Sequence, residues 1–209
     1  SDAGLTQANL TGANLTNALL TGANLSGAIL DNTTLDSVVS GGIKGQPKSV
    51  PENWSIYNGY LIGPTAYLKN AKLSGVNLSG ADISGAKMSD AILSDAILSG
   101  ANLNEAYLYG VSFVNADLTY ANLNNATLSG SNLTGANLTG ATTSRAGLWF
   151  PTWNNTTCPN GTKNLGTSPC SASQLIPKPA PTPTPDPTPT PDPDPSFPWM
   201  PTPNPSEIP

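Results

Sequence analysis

The sequence has no histidine and only two cysteines, and these gaps limit the chemistry that it can perform. Without histidine there is no imidazole base for a catalytic triad, and the cysteines have no imidazole companions for a metal site. No nucleophilic side chain has an evident activating partner, and no glycine-rich phosphate loop follows a strand. We therefore predict that the protein is not an enzyme, has no catalytic residues and binds no metal ion or other cofactor.

Charge is also scarce, since Asp, Glu, Lys and Arg make up 10% of the chain against roughly 25% in a typical soluble domain. With eight Lys and Arg residues and a net charge of -5, the chain lacks the basic surface that binds nucleic acid. No apolar run approaches the roughly 18 to 20 residues that span a bilayer. We predict that the protein neither binds nucleic acid nor inserts into a membrane.

The two cysteines, Cys158 and Cys170, lie close together in a segment rich in turn residues. An even count at such a spacing predicts one local disulfide, which requires an oxidising compartment. The alternative is a pair of free thiols. The sequence opens on Ser1 without a signal peptide, as in a mature exported chain or, equally, a trimmed one. We predict a secreted or cell-surface location.

A five-residue period runs through most of the chain. A large apolar residue, usually leucine, recurs at every fifth position from Leu5 to Leu35, and again from Leu68 to Leu148 after an interruption, with a single lapse at Thr143. A small residue, nearly always alanine, precedes each of these centres by two positions. Period five fits neither an α-helix nor a flat strand. A chain that turns a corner every five residues accounts for it, with one large and one small side chain pointing inwards from each side.

The run Ala8-Asn9-Leu10-Thr11-Gly12 and its successors resemble the pentapeptide-repeat family, whose pattern is A(D/N)Lxx. The resemblance covers residues 3–35 and 66–148. It implies an all-β fold, a right-handed quadrilateral β-helix with four pentapeptides per coil. Some members of that family mimic DNA and block topoisomerases, which requires a dense negative face. Among the positions before the centres, only Asp82 and Asp117 are acidic, so DNA mimicry is a remote functional alternative.

Composition divides the chain into five segments. They are N-terminal repeat coils (1–35), an inserted loop (36–65), the main solenoid (66–148), a C-terminal cap pinned by the disulfide (149–176) and a Pro/Thr/Asp-rich tail (177–209). Proline fixes φ and forbids helix, which predicts an extended polyproline II tail. A solenoid needs a cap because its last coil otherwise exposes its core and a free strand edge.

Aromatic residues stand out in both irregular segments. In the inserted loop they are expected to cover apolar surface on the side of the solenoid, although a ligand-binding loop is the alternative. After the last repeat they are expected to cover the final apolar layer. The residues concerned are Trp54, Tyr57 and Tyr60 in the loop, and Trp149, Phe150 and Trp153 in the cap.

On a four-sided coil, residues twenty apart share a side, so Tyr67, Lys87, Tyr107 and Thr127 should align. A contiguous exposed apolar patch around them would indicate a partner surface. The candidate interface residues are Tyr67, Ile92, Ile97, Tyr107, Tyr109, Tyr120 and Trp149, together with Phe197, Trp199 and Met200 of the tail.

The Thr-Pro tail is also typical of segments that carry O-linked sugar. The candidate glycosylation sites are Thr182, Thr184, Thr188 and Thr190.

The leading functional hypothesis is a non-catalytic, secreted structural protein. It would self-associate as the protomer of an extracellular filament or surface assembly, with each proline-rich tail packed on neighbouring subunits. The alternative is a monomeric cell-surface binding module on a proline-rich stalk. Ice or carbohydrate binding by flat Thr/Asn sides is disfavoured, because Ser, Asn and Tyr interrupt the threonine columns.

Overall fold

The computed structural model describes residues 3–177, most of which form a stack of four-sided coils with five residues on each side. Residues twenty positions apart pair in parallel on neighbouring coils, as Asn102 does with Asn122. The amide of Leu103 donates to the carbonyl of Asn122 at 2.8 Å, and the amide of Asn122 donates to the carbonyl of Ala101 at 2.9 Å. The predicted four-sided β-solenoid is therefore confirmed. Ser1–Pro179 form one compact unit.

Each side presents one outward residue per coil, and the sides can be numbered in chain order. In the main block the outward residues are Tyr67, Lys87, Tyr107 and Thr127 on side 1; Lys72, Ile92, Ser112 and Asn132 on side 2; Asn77, Ile97, Asp117 and Asn137 on side 3; and Asp82, Asn102, Asn122 and Thr142 on side 4.

The inside of the solenoid is a ladder of large and small side chains. Leu98 and Leu118 are buried, and so are the alanines two positions before them, Ala96 and Ala116. Burial of each leucine contributes roughly 1.5–3 kcal/mol, and this contribution recurs on nearly every side. The alanines leave room for the backbone to turn the corner close to the axis.

The two residues after each leucine form the corner. The amide of Ala101 donates to the carbonyl of Leu98 at 3.0 Å and closes the turn. An outward Asn or Asp supports the corner, since Oδ1 of Asn137 accepts the amide of Thr139 at 3.1 Å. The second corner residue has a positive φ, for example 68° at Gly100, which glycine adopts without strain. These contacts account for the Asn or Asp before leucine and the frequent glycine after it.

The first block of coils extends further than predicted. Residues 36–50 were expected to belong to the inserted loop, but the coil continues through them, and three of their residues pair with the coil before: Val39 with Leu19, Lys44 with Asn24, and Ser49 with Ile29. The sequence conceals this continuation because Ser40 and Gly45 occupy the positions where leucine is expected. The insertion itself is confined to the residues that follow.

The insertion is a β-hairpin of two short strands, β1 (Ser55–Tyr57) and β2 (Tyr60–Ile62), which pair antiparallel. Asn58 and Gly59 form its two-residue turn with φ values of 47° and 75°, the conformation that matches the twist of a hairpin. Regular pairing resumes where Tyr67 bridges Val39, so the hairpin is an outgrowth of a single coil.

The aromatic residues of the insertion pack against the solenoid, as predicted. Tyr57 and Tyr60 are partly buried against the core of the main block. Trp54 contacts that core and also the core of the N-terminal coils. The loop thereby joins two hydrophobic clusters that are otherwise separate.

The coil also continues beyond its predicted end at Leu148. Trp153 and Cys158 occupy the next two centre positions and are buried, while Thr152 and Thr157 pair with the coil before. Cys158 forms a disulfide with Cys170, as predicted. Trp149 and Phe150 were expected to cover the last layer but are 75% and 96% exposed, because both fall at a corner. Only Trp153 of the three enters the core.

Apart from Pro177, the predicted tail lies outside the described residues. The predictions that fall there are the interface residues Phe197, Trp199 and Met200 and the glycosylation sites Thr182, Thr184, Thr188 and Thr190. Over residues 3–177 the structure contains no helix long and apolar enough to cross a membrane.

Candidate functional site

Side 1 carries a continuous column of outward residues that we term the aromatic face. Its pairing runs past the hairpin without a break, which unites the N-terminal and main blocks on one surface. From the N-terminal end the column comprises Leu19, Val39, Tyr67, Lys87, Tyr107, Thr127 and Gly147. The predicted alignment of Tyr67, Lys87, Tyr107 and Thr127 is thereby confirmed.

The centre of the aromatic face is a shallow groove of about 300 Å³. Tyr67 and Tyr107 bracket it, with Lys87 between them, and Lys69 and Ser89 form its rim. Tyr107 is 56% exposed, whereas Tyr67 is partly buried. The Nζ of Lys87 donates to the Oγ of Ser37 at 3.2 Å, and an ammonium group has two further protons to donate. The groove therefore combines apolar walls with a positive charge.

The corner beside the aromatic face adds two more exposed aromatic side chains. Tyr109 and Trp149 lie in one corner column with Ser129 between them. The amide of Gly110, next to Tyr109, donates to the carbonyl of Ser129, and the amide of Gly130, next to Ser129, donates to the carbonyl of Trp149. They are 59% and 75% exposed. Four of the predicted interface residues thus lie on or next to side 1.

The other predicted interface residues of the solenoid do not join this surface. Ile92 is on side 2, Ile97 is on side 3, and Tyr120 is at the corner between sides 3 and 4. The expected single patch is therefore wrong in part, because every five-residue step turns the chain through a corner. Leu19 is not among the predicted interface residues, although it is 68% exposed and its place in the column follows from its position twenty residues before Val39.

Side 4 is a polar ladder whose hydrogen bonds are largely internal. Asn102 donates from Nδ2 to Asp82 Oδ1 at 3.0 Å, and Asn122 donates in the same way to Asn102 Oδ1 at 3.0 Å. The hydroxyl of Thr142 donates to Asn122 Oδ1 at 3.2 Å. One carboxylate in a column of neutral amides does not form the dense negative face that DNA mimicry requires. Side 1, with its lysine and exposed rings, is the better candidate for a partner.

Comparison with protein families identifies the repeat. The family model for pentapeptide repeats matches in eight copies, over residues 1–36, 66–100, 96–135 and 112–146. These ranges cover more than half of the chain. No curated protein matches the sequence significantly.

Solved structures of pentapeptide-repeat proteins resemble this chain. HetL from the cyanobacterium Nostoc sp. strain PCC 7120, involved in heterocyst differentiation regulation, is 26% identical over 78% of this chain and 63% of its own, with a TM-score of 0.46. A pentapeptide-repeat protein from the Arabidopsis thaliana thylakoid lumen is 33% identical over 40% of this chain and 66% of its own, with a TM-score of 0.26. The chain therefore spans less than two thirds of the length of either protein.

A third solved structure is that of QnrB1, a plasmid-mediated fluoroquinolone resistance protein. It is 14% identical over 83% of this chain and 93% of its own, with a TM-score of 0.35. The predicted role as a secreted filament protomer is corrected by these comparisons. The similar structures are described as a differentiation regulator, a thylakoid lumen protein and a drug-resistance protein, and none as a filament subunit.

Proposed function

The chain belongs to the pentapeptide-repeat family, whose fold is a right-handed quadrilateral β-helix, and we propose that it is a non-catalytic protein-binding module that uses its aromatic face. The observation that carries the proposal is the alignment of Tyr67, Lys87 and Tyr107 around one groove. Tyrosine and tryptophan are enriched among the residues that dominate interface energetics. Isolated apolar residues on a surface need no explanation, but an aligned set indicates a binding surface.

The solenoid supports such a role because it holds the aromatic face rigid. The amide of Tyr107 donates to the carbonyl of Ala86, and the amide of Lys87 donates to the carbonyl of Ala66, both at 2.9 Å. A partner therefore meets a surface whose backbone is already ordered, which reduces the entropy lost on binding. The rigid stack also fixes the spacing between the rings.

In this proposal residues 149–176 serve as the C-terminal cap. The burial of Trp153 against the core supports that assignment, as does the disulfide from the last centre position, Cys158, to Cys170. The disulfide also supports an oxidising compartment, in keeping with the predicted secreted or cell-surface location. That location and self-association stay predictions. Alkylation of free thiols in the native protein would test the location through the state of the disulfide, and light scattering would test self-association.

The proposed function predicts that partners are captured at side 1 and not at side 4. A photo-crosslinking residue would be placed at Tyr107 and, in a second protein, at Asn102 of side 4. We expect one partner to be captured from position 107 alone. After that partner is purified, Tyr107→Ser should weaken its binding about tenfold, the loss typical of a central interface tyrosine.

Tyr120→Ser is the matched control, since Tyr120 is 65% exposed but lies two corners away from the aromatic face. It should leave the affinity for the purified partner unchanged. Equal capture from positions 107 and 102, or equal loss of affinity in the two tyrosine variants, would show that side 1 is not the binding surface.

A further inference from the structure

Aromatic side chains occur on every second coil of the surface around side 1. Tyr67 and Tyr107 are separated by two coils, with Lys87 on the coil between them. Tyr109 and Trp149 are also separated by two coils, with Ser129 between them. Since neighbouring coils are about 4.8 Å apart, the aromatic positions repeat at roughly 9.6 Å along the axis.

This repeat matches the pitch of a polyproline II helix. That helix has three residues per turn and a rise of about 3.1 Å per residue, so that one turn advances about 9.3 Å. A polyproline II segment laid along side 1 would present the same face to an aromatic ring at every turn. Grooves lined with aromatic side chains are the known binding mode for such segments, because the helix is already formed and loses little entropy.

The charge of the groove narrows the composition of the segment. Lys87 lies between the two tyrosines and Lys69 lies on the rim. The nearby carboxylates are at the corners on either side, Asp90 on one and Asp36 and Glu105 on the other, and none of them lines the groove. An acidic side chain between prolines would therefore face an ammonium group flanked by rings. A neutral proline-rich segment would lack this contact, and a basic one would be repelled.

From the spacing and the charge together, we propose that the groove between Tyr67 and Tyr107 binds a proline-rich, acidic segment of a partner protein in the polyproline II conformation. This inference rests on the proposed function, for which it names the chemistry of the partner. Tyr67 and Tyr107 pack on successive turns of the segment, and Lys87 pairs with the carboxylate of a residue that lies between the two positions contacting the rings.

A synthetic peptide supplies the direct test. The sequence Pro-Thr-Pro-Thr-Pro-Asp-Pro-Thr-Pro-Thr-Pro-Asp-Pro-Asp-Pro, which occurs at residues 181–195, has the required composition. Its fluorescent form would be titrated by anisotropy with the compact unit, residues 1–179, after circular dichroism and a melting curve have confirmed that this unit is folded. We expect saturable binding. A peptide with every proline replaced by glycine keeps the charges and should not bind.

Variants of the groove separate the contribution of the tyrosine rings from that of the Lys87 charge. Tyr67→Ser and Tyr107→Ser should each weaken peptide binding about tenfold, whereas Tyr120→Ser should not change it. Lys87→Gln should weaken the Asp-containing peptide and leave an Asn-substituted peptide unaffected. It should also reduce the dependence of affinity on salt, because the lost contact is ionic.

The outcomes distinguish this inference from the proposed function. If no proline-rich peptide binds while a crosslinked partner still depends on Tyr107, the polyproline inference is wrong and the binding module stands. A β-1,4-linked oligosaccharide that binds in a Tyr107-dependent way, when the peptide does not, would assign the rings to sugar stacking and overturn both. Equal affinity for the proline and glycine peptides would show that charge alone attracts them.

Discussion

At the scale of single residues, the corners show both the clearest residue preference of the repeat and a contact that the repeat does not predict. Glycine, asparagine and aspartate recur at the second corner position because its φ is positive, as at Asp90 and Gly100. That preference can be read from the repeat. Tyr120 adopts the same conformation, and its ring lies over Gly140 of the next coil, where a Cβ would stand 2.5 Å from the ring. No period in the sequence predicts this packing, since it depends on where one exposed ring settles.

The packing predicts a different cost for two glycine substitutions in one corner column. The Cβ added by Gly100→Ala has no atom within 4 Å. This substitution should therefore lower the free energy of unfolding only by the strain of a positive φ, about 1–2 kcal/mol. Gly140→Ala has nearly the same φ but must also displace Tyr120, so we expect a further loss of about 1 kcal/mol. Urea denaturation of both variants would measure the difference.

The double variant Tyr120→Ser/Gly140→Ala tests the cause. If the ring is responsible, removing it should bring the cost of Gly140→Ala, measured relative to Tyr120→Ser, down to that of Gly100→Ala. A cost that stays high without the ring would mean that the strain lies in the backbone and not in the contact.

At the scale of elements, the coils were predictable and the insertion was not. The leucine period defines the regular sides, but it fails where Ser40 and Gly45 replace leucine, so the predicted insertion began too early. The hairpin had a local signal, the Asn58-Gly59 pair between two short apolar runs. The role of Trp54 had none, because its contact with two separate clusters arises only when the coils are stacked.

Because Trp54 contacts both hydrophobic clusters, we predict that Trp54→Ala destabilises one block without destabilising the other to the same extent. Removing a large buried aromatic side chain costs about 3–5 kcal/mol, with the lower end expected for the partly buried Trp54. In a solenoid, each coil is stabilised mainly by its neighbours, so the loss should concentrate in the shorter N-terminal block. Hydrogen exchange should accelerate at the amides of Leu25 and Leu30 much more than at that of Leu118.

Two further variants check this prediction. Gly63→Ala would place a Cβ 2.7 Å from Cε2 of Trp54 and should produce the same pattern by displacing the ring. Trp149→Ala removes an indole that is 75% exposed and should leave exchange in both blocks unchanged. An even acceleration along the whole chain in the Trp54 variant would contradict a local joint.

At the scale of the whole molecule, the stack has two unlike ends. The N-terminal coil has partly exposed centres at Leu5 and Leu10, whereas the C-terminal end has Trp153 and Cys158 in the centre positions and both are buried. The leucine pattern ends at Leu148, so the sequence correctly indicated that the residues at the centre positions change there, but the coil itself continues further than predicted. The disulfide followed from the cysteine count, while its place in the core required the three-dimensional register.

Because the disulfide lies at the C-terminal end of the stack, we predict that its loss unfolds the coils progressively from that end. Replacing both Cys158 and Cys170 by alanine should lower the free energy of unfolding by about 3 kcal/mol, the chain-entropy estimate for a short loop. Because coils depend on their neighbours, exchange should rise first at the amides of position 158 and Leu138, less at Leu118 and not at Leu25. Reduction of the wild-type protein should reproduce this gradient, which separates the loss of the bond from the loss of sulfur packing. Equal exchange at Leu138 and Leu25 would instead mean that the solenoid unfolds as one cooperative unit, in which the bond stabilises every coil alike.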